Sequence, residues 1–124
     1  MPRYVDGFVV PVPKDKIDAY RRIARKAGNI WKEHGALEYV ECVADDVKPG
    51  KVTSFPQSVA LKSGETVVFS WITFKSRKDR DRVNANVMAD PRLAFMEHAD
   101  PANLPFDGQR MFWGGFKPIV SLAG

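Results

Sequence analysis

Residues Glu65 to Phe74 read ETVVFSWITF, and this stretch decides the fold. Successive side chains of a β-strand point to opposite faces of a sheet. One alternation contains Val67, Phe69 and Trp71, and the other contains Val68, Ile72 and Phe74. Because both alternations are apolar, we predict a strand that needs cover on both of its faces.

A helix and a last strand are predicted downstream of this segment. Ser76 supplies the hydroxyl of an N-cap, and Asp79 supplies an acid three residues later, a pattern typical of a helix start. The helix runs to about Ala89. A short helix over Arg92–His98 and a last strand over Gln109–Val120 follow.

Upstream, the apolar period changes from that of a strand to that of a helix. Apolar residues recur three or four positions apart through residues 17–34, which predicts an amphipathic helix. Asp15 is its expected N-cap and Gly35 its C-terminal stop. A strand over Tyr4–Val12 precedes this helix, and a strand over Ala36–Ala44 follows it.

The predicted order is therefore β-α-β-β-α-β. A long connection over Asp45–Ser63, with a helical turn at Gln57–Lys62, separates the second and third strands. This order predicts an α+β, ferredoxin-like fold over residues 1–124 as one domain, with both helices on one face of a four-stranded antiparallel sheet. The other face would expose aromatic side chains, so we expect two sheets to pair face to face in a homodimer.

Composition excludes several classes of protein. Hydrophobic residues make up 44% of the chain and charged residues 27%, which rules out a disordered tail, a collagen-like repeat and a disulfide scaffold. Nineteen Lys and Arg residues against fifteen Asp and Glu give a net charge of +4. This excess is mild, so the basic residues of both helices are interpreted as solvated surfaces and nucleic acid is not an expected partner.

The single cysteine and the N-terminal residues bear on the compartment. Cys42 has no second cysteine to pair with, and its strand-like neighbours predict a small buried side chain. Asp6 lies where a secretion signal would carry its apolar run, and no stretch approaches the roughly 20 apolar residues that span a membrane. We expect a cytoplasmic protein without a membrane partner.

Three strings carry a resemblance to a known family: Tyr4-Val5-Asp6-Gly7-Phe8, Asp90-Pro91 and Met111-Phe112-Trp113-Gly114-Gly115-Phe116. With them, nearly the whole chain resembles the YbaA-like family of uncharacterised bacterial proteins, within the dimeric α/β-barrel superfamily. The resemblance implies the fold and the homodimer but no activity. The superfamily includes cofactor-independent oxygenases and haem-degrading enzymes. The haem-degrading members need a histidine on the second helix, and residues 76–89 contain none, so we expect no cofactor.

Candidate ligand-binding residues lie on the predicted strands. Asp6, in a central strand, needs a partner if it is buried, and Arg110 on the neighbouring last strand is the expected one. Whether this pair is structural or belongs to a site stays open. A pocket between sheet and helices is expected to use six residues: Asp6, Tyr39, Glu41, Ser70, Phe74 and Arg110.

The sequence assigns no catalytic residue and no metal site. His34 is interpreted as a helix-terminal residue near the last carbonyls, and His98 as a surface residue. Two functions stay open. One is a small-molecule-binding protein or cofactor-independent enzyme with an apolar pocket that suits a small aromatic or apolar ligand. The other is an interaction module that binds a protein or nucleic acid through its dimer surface or basic helices.

Overall fold

The computed structural model describes residues 3–94, 100 and 104–122. Within this part, the strands are β1 (Tyr4–Pro13), β2 (Glu38–Val43), β3 (Glu65–Phe74) and β4 (Phe112–Phe116). The α-helices are α1 (Ile17–His34), α2 (Phe55–Ser58) and α3 (Arg77–Met88). Short 3-10 helices occupy Lys14–Lys16 and Pro91–Leu93. The predicted βαββαβ order is confirmed.

The four strands form one antiparallel sheet in the order β2-β3-β1-β4. Strand β1 is central, as predicted, and it pairs with β3 along its whole length from Tyr4 opposite Phe74 to Pro13 opposite Glu65. On its other side, β1 pairs with β4. Strands β2 and β4 are therefore the two edges of the sheet.

Both long helices cover the same face of the sheet, which confirms the α+β, ferredoxin-like fold. Side chains of α1 and α3 pack on alternate residues of β1 and β3 in one buried cluster. That cluster includes Tyr4, Ala27, Ile30, Ile72, Phe74, Val83 and Val87. Removal of this apolar surface from water is the main force that holds the helices to the sheet.

We call the side of the sheet opposite the helices the open face. One end of it is covered by the β2–β3 connection, where Val59 packs on Val9 and Val67. The rest carries exposed aromatic rings: Phe69 is 42% exposed, Phe112 47% and Phe116 64%. Both alternations of β3 are thus apolar, as the sequence indicates, but within one chain only the helix-covered alternation is fully buried.

Two predicted element boundaries are wrong at the C-terminal end. The last strand covers Phe112–Phe116 and not Gln109–Val120. Asp107 accepts a hydrogen bond from the backbone N–H of Gln109 at 2.9 Å, which makes a turn where pairing was expected. Pro118 lacks an N–H and cannot extend a strand ladder beyond β4.

Other boundaries shift because local hydrogen bonds differ from those expected. Helix α1 begins at Ile17 after a 3-10 turn, and Asp15 lies inside that turn and does not cap the helix. The helical turn in the long connection forms at Phe55–Ser58, where the Ser54 hydroxyl accepts from the backbone N–H of Gln57. The Ser76 cap of α3 is confirmed, since its hydroxyl accepts from the Asp79 N–H at 3.0 Å.

The prediction of a buried Cys42 is wrong, because the residue is exposed. In the register of the edge strand β2, Cys42 lies opposite Phe69 on the open face, and only one neighbouring strand flanks it. His34 bonds to the Asp90 carboxylate through Nε2 at 2.8 Å, so its observed partner is a side chain and not a helix carbonyl. His98 lies outside the described residues, as does the predicted helix beyond residue 94.

Asp6 has a different partner from the one predicted. It is 1% exposed, and its carboxylate accepts from the Arg80 guanidinium of α3 at 3.1 Å and from the Asn84 amide at 3.4 Å. Burial raises the pKa of Asp6, although the Arg80 charge acts in the opposite direction. The expected pair with Arg110 is wrong, because the nearest cation to β1 comes from the helix layer.

Arg110 lies in the turn before β4 and joins two irregular segments. Its guanidinium bonds to Glu65 at 2.8 and 2.6 Å and to Asp107 at 2.8 Å. It also donates to the backbone carbonyls of Val59 and Ala60 at 3.3 and 3.1 Å. Hydrogen bonds from Arg110 lower the pKa of both carboxyl groups.

We predict that Asp6→Ala lowers the free energy of unfolding by about 3 kcal/mol, because it leaves the Arg80 guanidinium buried without its carboxylate. This is the low end of the usual range, since Asp81 also lies 2.9 Å from Arg80. The double variant Asp6→Ala/Arg80→Leu should lose less than the sum of the single variants, with a coupling above about 1 kcal/mol in urea denaturation.

Asp18→Ala is the matched control, because both side chains of the Asp18–Arg21 ion pair are exposed to solvent. It should cost less than about 1 kcal/mol. Additive effects of Asp6→Ala and Arg80→Leu would contradict a buried, coupled pair.

Candidate functional site

An apolar cavity lies between α1 and the helix-covered face of the sheet. Its volume is about 160 Å³, and we call it the inner cavity. Aromatic and aliphatic side chains from both layers line it, among them Phe8, Ile23, Trp31, Ile72, Phe106 and Met111. A cavity of roughly this size holds one benzene ring in proteins where such binding is known.

A second, more polar cavity of about 370 Å³ lies between α1 and β2, and we call it the outer cavity. Both cavities are lined by Tyr20, Ala24, Tyr39 and Glu41, so these residues form the boundary between the two. The outer cavity is also lined by three cations of α1: Arg21, Arg25 and Lys32.

Two phenols hold one carboxylate at this boundary. Tyr20 of α1 donates a hydrogen bond to Oε1 of Glu41, and Tyr39 of β2 donates to Oε2 at 2.6 Å. An ionised carboxylate offers about four acceptor positions, and the phenols use two of them. Glu41 therefore keeps the capacity to accept a further hydrogen bond.

The electrostatics of this triad keep both phenols protonated. Burial raises the pKa of Tyr20 and of Tyr39 far above the usual value, and the negative charge and hydrogen bond of Glu41 act in the same direction. The phenols act as fixed donors that orient Glu41. The arrangement presents a carboxylate next to an apolar cavity.

Close packing positions the two aromatic walls of the site. Gly28 of α1 faces Tyr39 so closely that an added Cβ would lie 2.6 Å from the Tyr39 ring. Trp31 lies 6.1 Å from Tyr39 between ring centroids, and its indole N–H donates to the Asn84 side chain at 3.1 Å. Asn84 also bonds to Asp6, so the buried ion pair is linked to the cavity wall.

The structure brings together three of the six residues proposed for the pocket. Tyr39, Glu41 and Ser70 line the inner cavity. Phe74 is fully buried in the core cluster with α3. The other two, Asp6 and Arg110, make the separate ion pairs described above.

Sequence reasoning missed Tyr20 and Trp31 as residues of the site. Both belong to the apolar stripe of α1, where a tyrosine or tryptophan is ordinarily part of the core. The available signal was the polar atom on each side chain, because a buried phenol or indole needs a hydrogen-bond partner. Glu41, which faces α1 from β2, is that partner for Tyr20.

Residues 3–94, 100 and 104–122 contain neither a group of metal ligands nor a membrane-spanning helix. In that range, no three His, Cys, Asp or Glu side chains come close enough to hold a metal ion. No helix described there is long and apolar enough to cross a membrane.

Residues 3–108 match the family model described as "Protein of unknown function (DUF1428)". The chain is also 51% identical over 118 residues to uncharacterized protein YbaA of Escherichia coli strain K12, which covers 95% of this chain and 97% of the relative. YbaA of Shigella flexneri gives the same values. The chain belongs to the DUF1428 family. The expected resemblance to YbaA-like proteins is confirmed.

Solved structures confirm the fold of this DUF1428 protein. A nipsnap family protein with unknown function from Agrobacterium tumefaciens superposes with a TM-score of 0.58 and 18% identity, over 94% of this chain and 87% of the other. A dimeric ferredoxin-like protein from an uncultured marine organism superposes with a TM-score of 0.55 and 12% identity, over the whole of both chains. Identities this low establish a shared fold and no shared activity.

We predict that the stability of the protein falls as pH rises above about 10, partly through Tyr20 and Tyr39. The folded-state pKa of each phenol is raised, so its contribution is present below the unfolded value and is lost above it. The loss is about 1.4 kcal/mol per pH unit for each phenol.

Urea denaturation between about pH 9 and 11 measures this loss. The free energy of unfolding of each protein is expressed relative to its own value at neutral pH. On that scale, the variant Tyr20→Phe/Tyr39→Phe should lose less stability per pH unit than the wild type. Equal slopes in the two proteins would show that the phenols are not protected.

Proposed function

We propose that this protein binds a small, largely apolar or aromatic molecule in the inner cavity, with a hydrogen-bond donor of that molecule on Glu41. The observation that carries the proposal is the carboxylate held by Tyr20 and Tyr39 at the edge of an apolar cavity. Tyr39, Glu41 and Ser70 are the proposed contacts among the residues expected from sequence. We further propose that residues 1–124 act as one cytoplasmic domain.

The apolar lining of the inner cavity supports an aromatic or apolar ligand, and Glu41 at its edge supports a hydrogen-bond donor on that ligand. The inner cavity has an almost entirely apolar lining, and ligand sites typically combine such a lining with a few placed polar groups. Glu41 is such a group, and an acceptor-only carboxylate selects an N–H or O–H donor. An aromatic ring that carries an amine N–H or a phenol O–H satisfies both requirements.

The same geometry is compatible with turnover as well as with binding. Glu41 is in a position to accept a proton from an N–H or O–H acid bound in the inner cavity, the usual role of a carboxylate in general base catalysis. The cavity supports this proposal over an interaction module, because a protein or nucleic acid partner needs no apolar cavity between helix and sheet.

We also propose that the protein is a homodimer through its open face. Phe69, Phe112 and Phe116 expose large parts of their rings on the open face. Monomeric proteins rarely leave a continuous aromatic surface in water, and a symmetric pairing of two such faces removes it.

We predict that N-phenyl-2-naphthylamine binds with a micromolar dissociation constant, measured by fluorescence titration. Its phenyl ring matches the inner cavity, and its N–H is a donor for Glu41. Glu41→Gln should weaken binding about tenfold, because a charged acceptor is lost while the size of the side chain is kept. Ala24→Leu should abolish binding, because Ala24 lines both cavities.

Ala85→Leu is the matched control for Ala24→Leu, since Ala85 is exposed on α3. It should bind the probe as the wild type does. Thermal melts of both leucine variants establish that they fold. Unchanged affinity in Ala24→Leu and Glu41→Gln would refute the site.

Sedimentation equilibrium should give twice the 13.9 kDa chain mass at micromolar concentration. Phe116→Glu should give a monomer, because it places a charge in the paired open faces. Val52→Glu, a substitution at a 92% exposed apolar residue of the β2–β3 connection, should remain dimeric. A wild-type monomer would contradict the proposed assembly.

A further inference from the structure

The wall that α1 presents to the outer cavity is strongly basic. From Ala19 to Lys32, α1 contains five cations and no acid: Arg21, Arg22, Arg25, Lys26 and Lys32. Three of these side chains, Arg21, Arg25 and Lys32, line the outer cavity. A row of like charges on one helix raises the local positive potential and attracts anions to that side.

The three cations differ in how far they are already engaged. Arg21 bonds to Asp18 at 2.7 Å, and the Lys32 ammonium donates to the carbonyl of Leu37 at 2.7 Å. Arg25 makes no hydrogen bond or ion pair with any residue in the described part of the chain. Arg25 is therefore the cation at the outer cavity that is available to a ligand.

The charges of the site run in a fixed order from inside to outside. The inner cavity is apolar, Glu41 lies at the boundary, and Arg25 lines the outer cavity. Because an anion cannot enter an apolar space beside a carboxylate without a large desolvation and repulsion cost, an anionic group is excluded from the inner end. The same group gains attraction at the outer end.

We propose that the ligand is a small anion with two distinct ends, whose ring occupies the inner cavity and whose carboxylate, sulfonate or phosphate group contacts Arg25. Arg21 and Lys32 add to the attraction from the same wall. The inference rests on the proposed function, since it needs the ring to bind at the inner cavity. It adds the charge of the ligand and its orientation.

The test uses two probes that differ in one group: N-phenyl-2-naphthylamine and its 6-sulfonate, 2-anilinonaphthalene-6-sulfonate. Both carry the same ring system and the same N–H donor. We expect the sulfonate to bind about fivefold more tightly at low salt, and the advantage to shrink as salt screens the exposed charges.

Arg25→Gln should remove most of this advantage and leave the affinity of the neutral probe unchanged. Arg22→Gln is the matched control, because it removes the same charge from the same helix at a residue that does not line either cavity. It should retain the preference for the sulfonate. A loss of preference in Arg25→Gln alone assigns the effect to the site.

The outcomes separate the two proposals. If neither probe binds, or if Ala24→Leu binds both as the wild type does, the proposed function itself fails. If both probes bind with equal affinity and Ala24→Leu abolishes both, the function stands and the anionic ligand is overturned. Equal losses in Arg22→Gln and Arg25→Gln would also overturn it, because they would reflect net charge and not a contact.

Discussion

The buried ion pair between Asp6 and Arg80 fixes the helix layer on the sheet, and the candidate site depends on it. Asp6 belongs to the central strand β1, and Arg80 belongs to α3. One turn further along α3, Asn84 joins the same carboxylate to the indole of Trp31 on α1. A single buried carboxylate therefore connects the sheet and both helices. Because a buried ion pair offsets its desolvation cost only when its geometry is good, this network favours one placement of the helices over the sheet, and the inner cavity lies between α1 and that sheet.

Much of the architecture was predictable because it depends on periodicity. The two-faced apolar pattern of Glu65–Phe74 and the helical stripe of α1 are repeated signals over ten residues or more. The Ser76 cap is a local hydrogen bond and was also found. The errors concern the ends of elements, which depend on single local hydrogen bonds such as that of the Asp107 turn, and contacts between distant segments. The partner of Asp6 lies 74 residues away on α3, and charge pairing alone does not discriminate Arg80 from Arg110. Cys42 is exposed because it lies on an edge strand. The strand propensity of its neighbours does not reveal whether that strand is at the edge or the centre of the sheet.

The sequence predicted the site residues that share one strand, and it missed those whose contacts join distant segments. Tyr39 and Glu41 share one alternation of β2, so their common face could be inferred from spacing. Tyr20 comes from another element, and its bond to Glu41 depends on how α1 lies over β2. This three-residue arrangement is what distinguishes the cavity from ordinary core packing. An empty cavity in a hydrophobic core is lined by apolar groups that make no hydrogen bonds. Here the Glu41 carboxylate lies at the edge of the cavity and can accept a further hydrogen bond.

Arg110 connects a segment on one face of the sheet with a segment on the other. It anchors the backbone at Val59, which covers part of the open face, and the Asp107 turn, next to which Phe106 closes the inner cavity. Phe106 also packs edge-to-face on Tyr20, with 5.8 Å between ring centroids. Neither segment belongs to a strand, and Arg110 bonds directly to both of them. A ligand that displaces Phe106 from within the inner cavity would therefore disturb, through Arg110, the segment that covers part of the open face, which is the surface proposed for dimerisation.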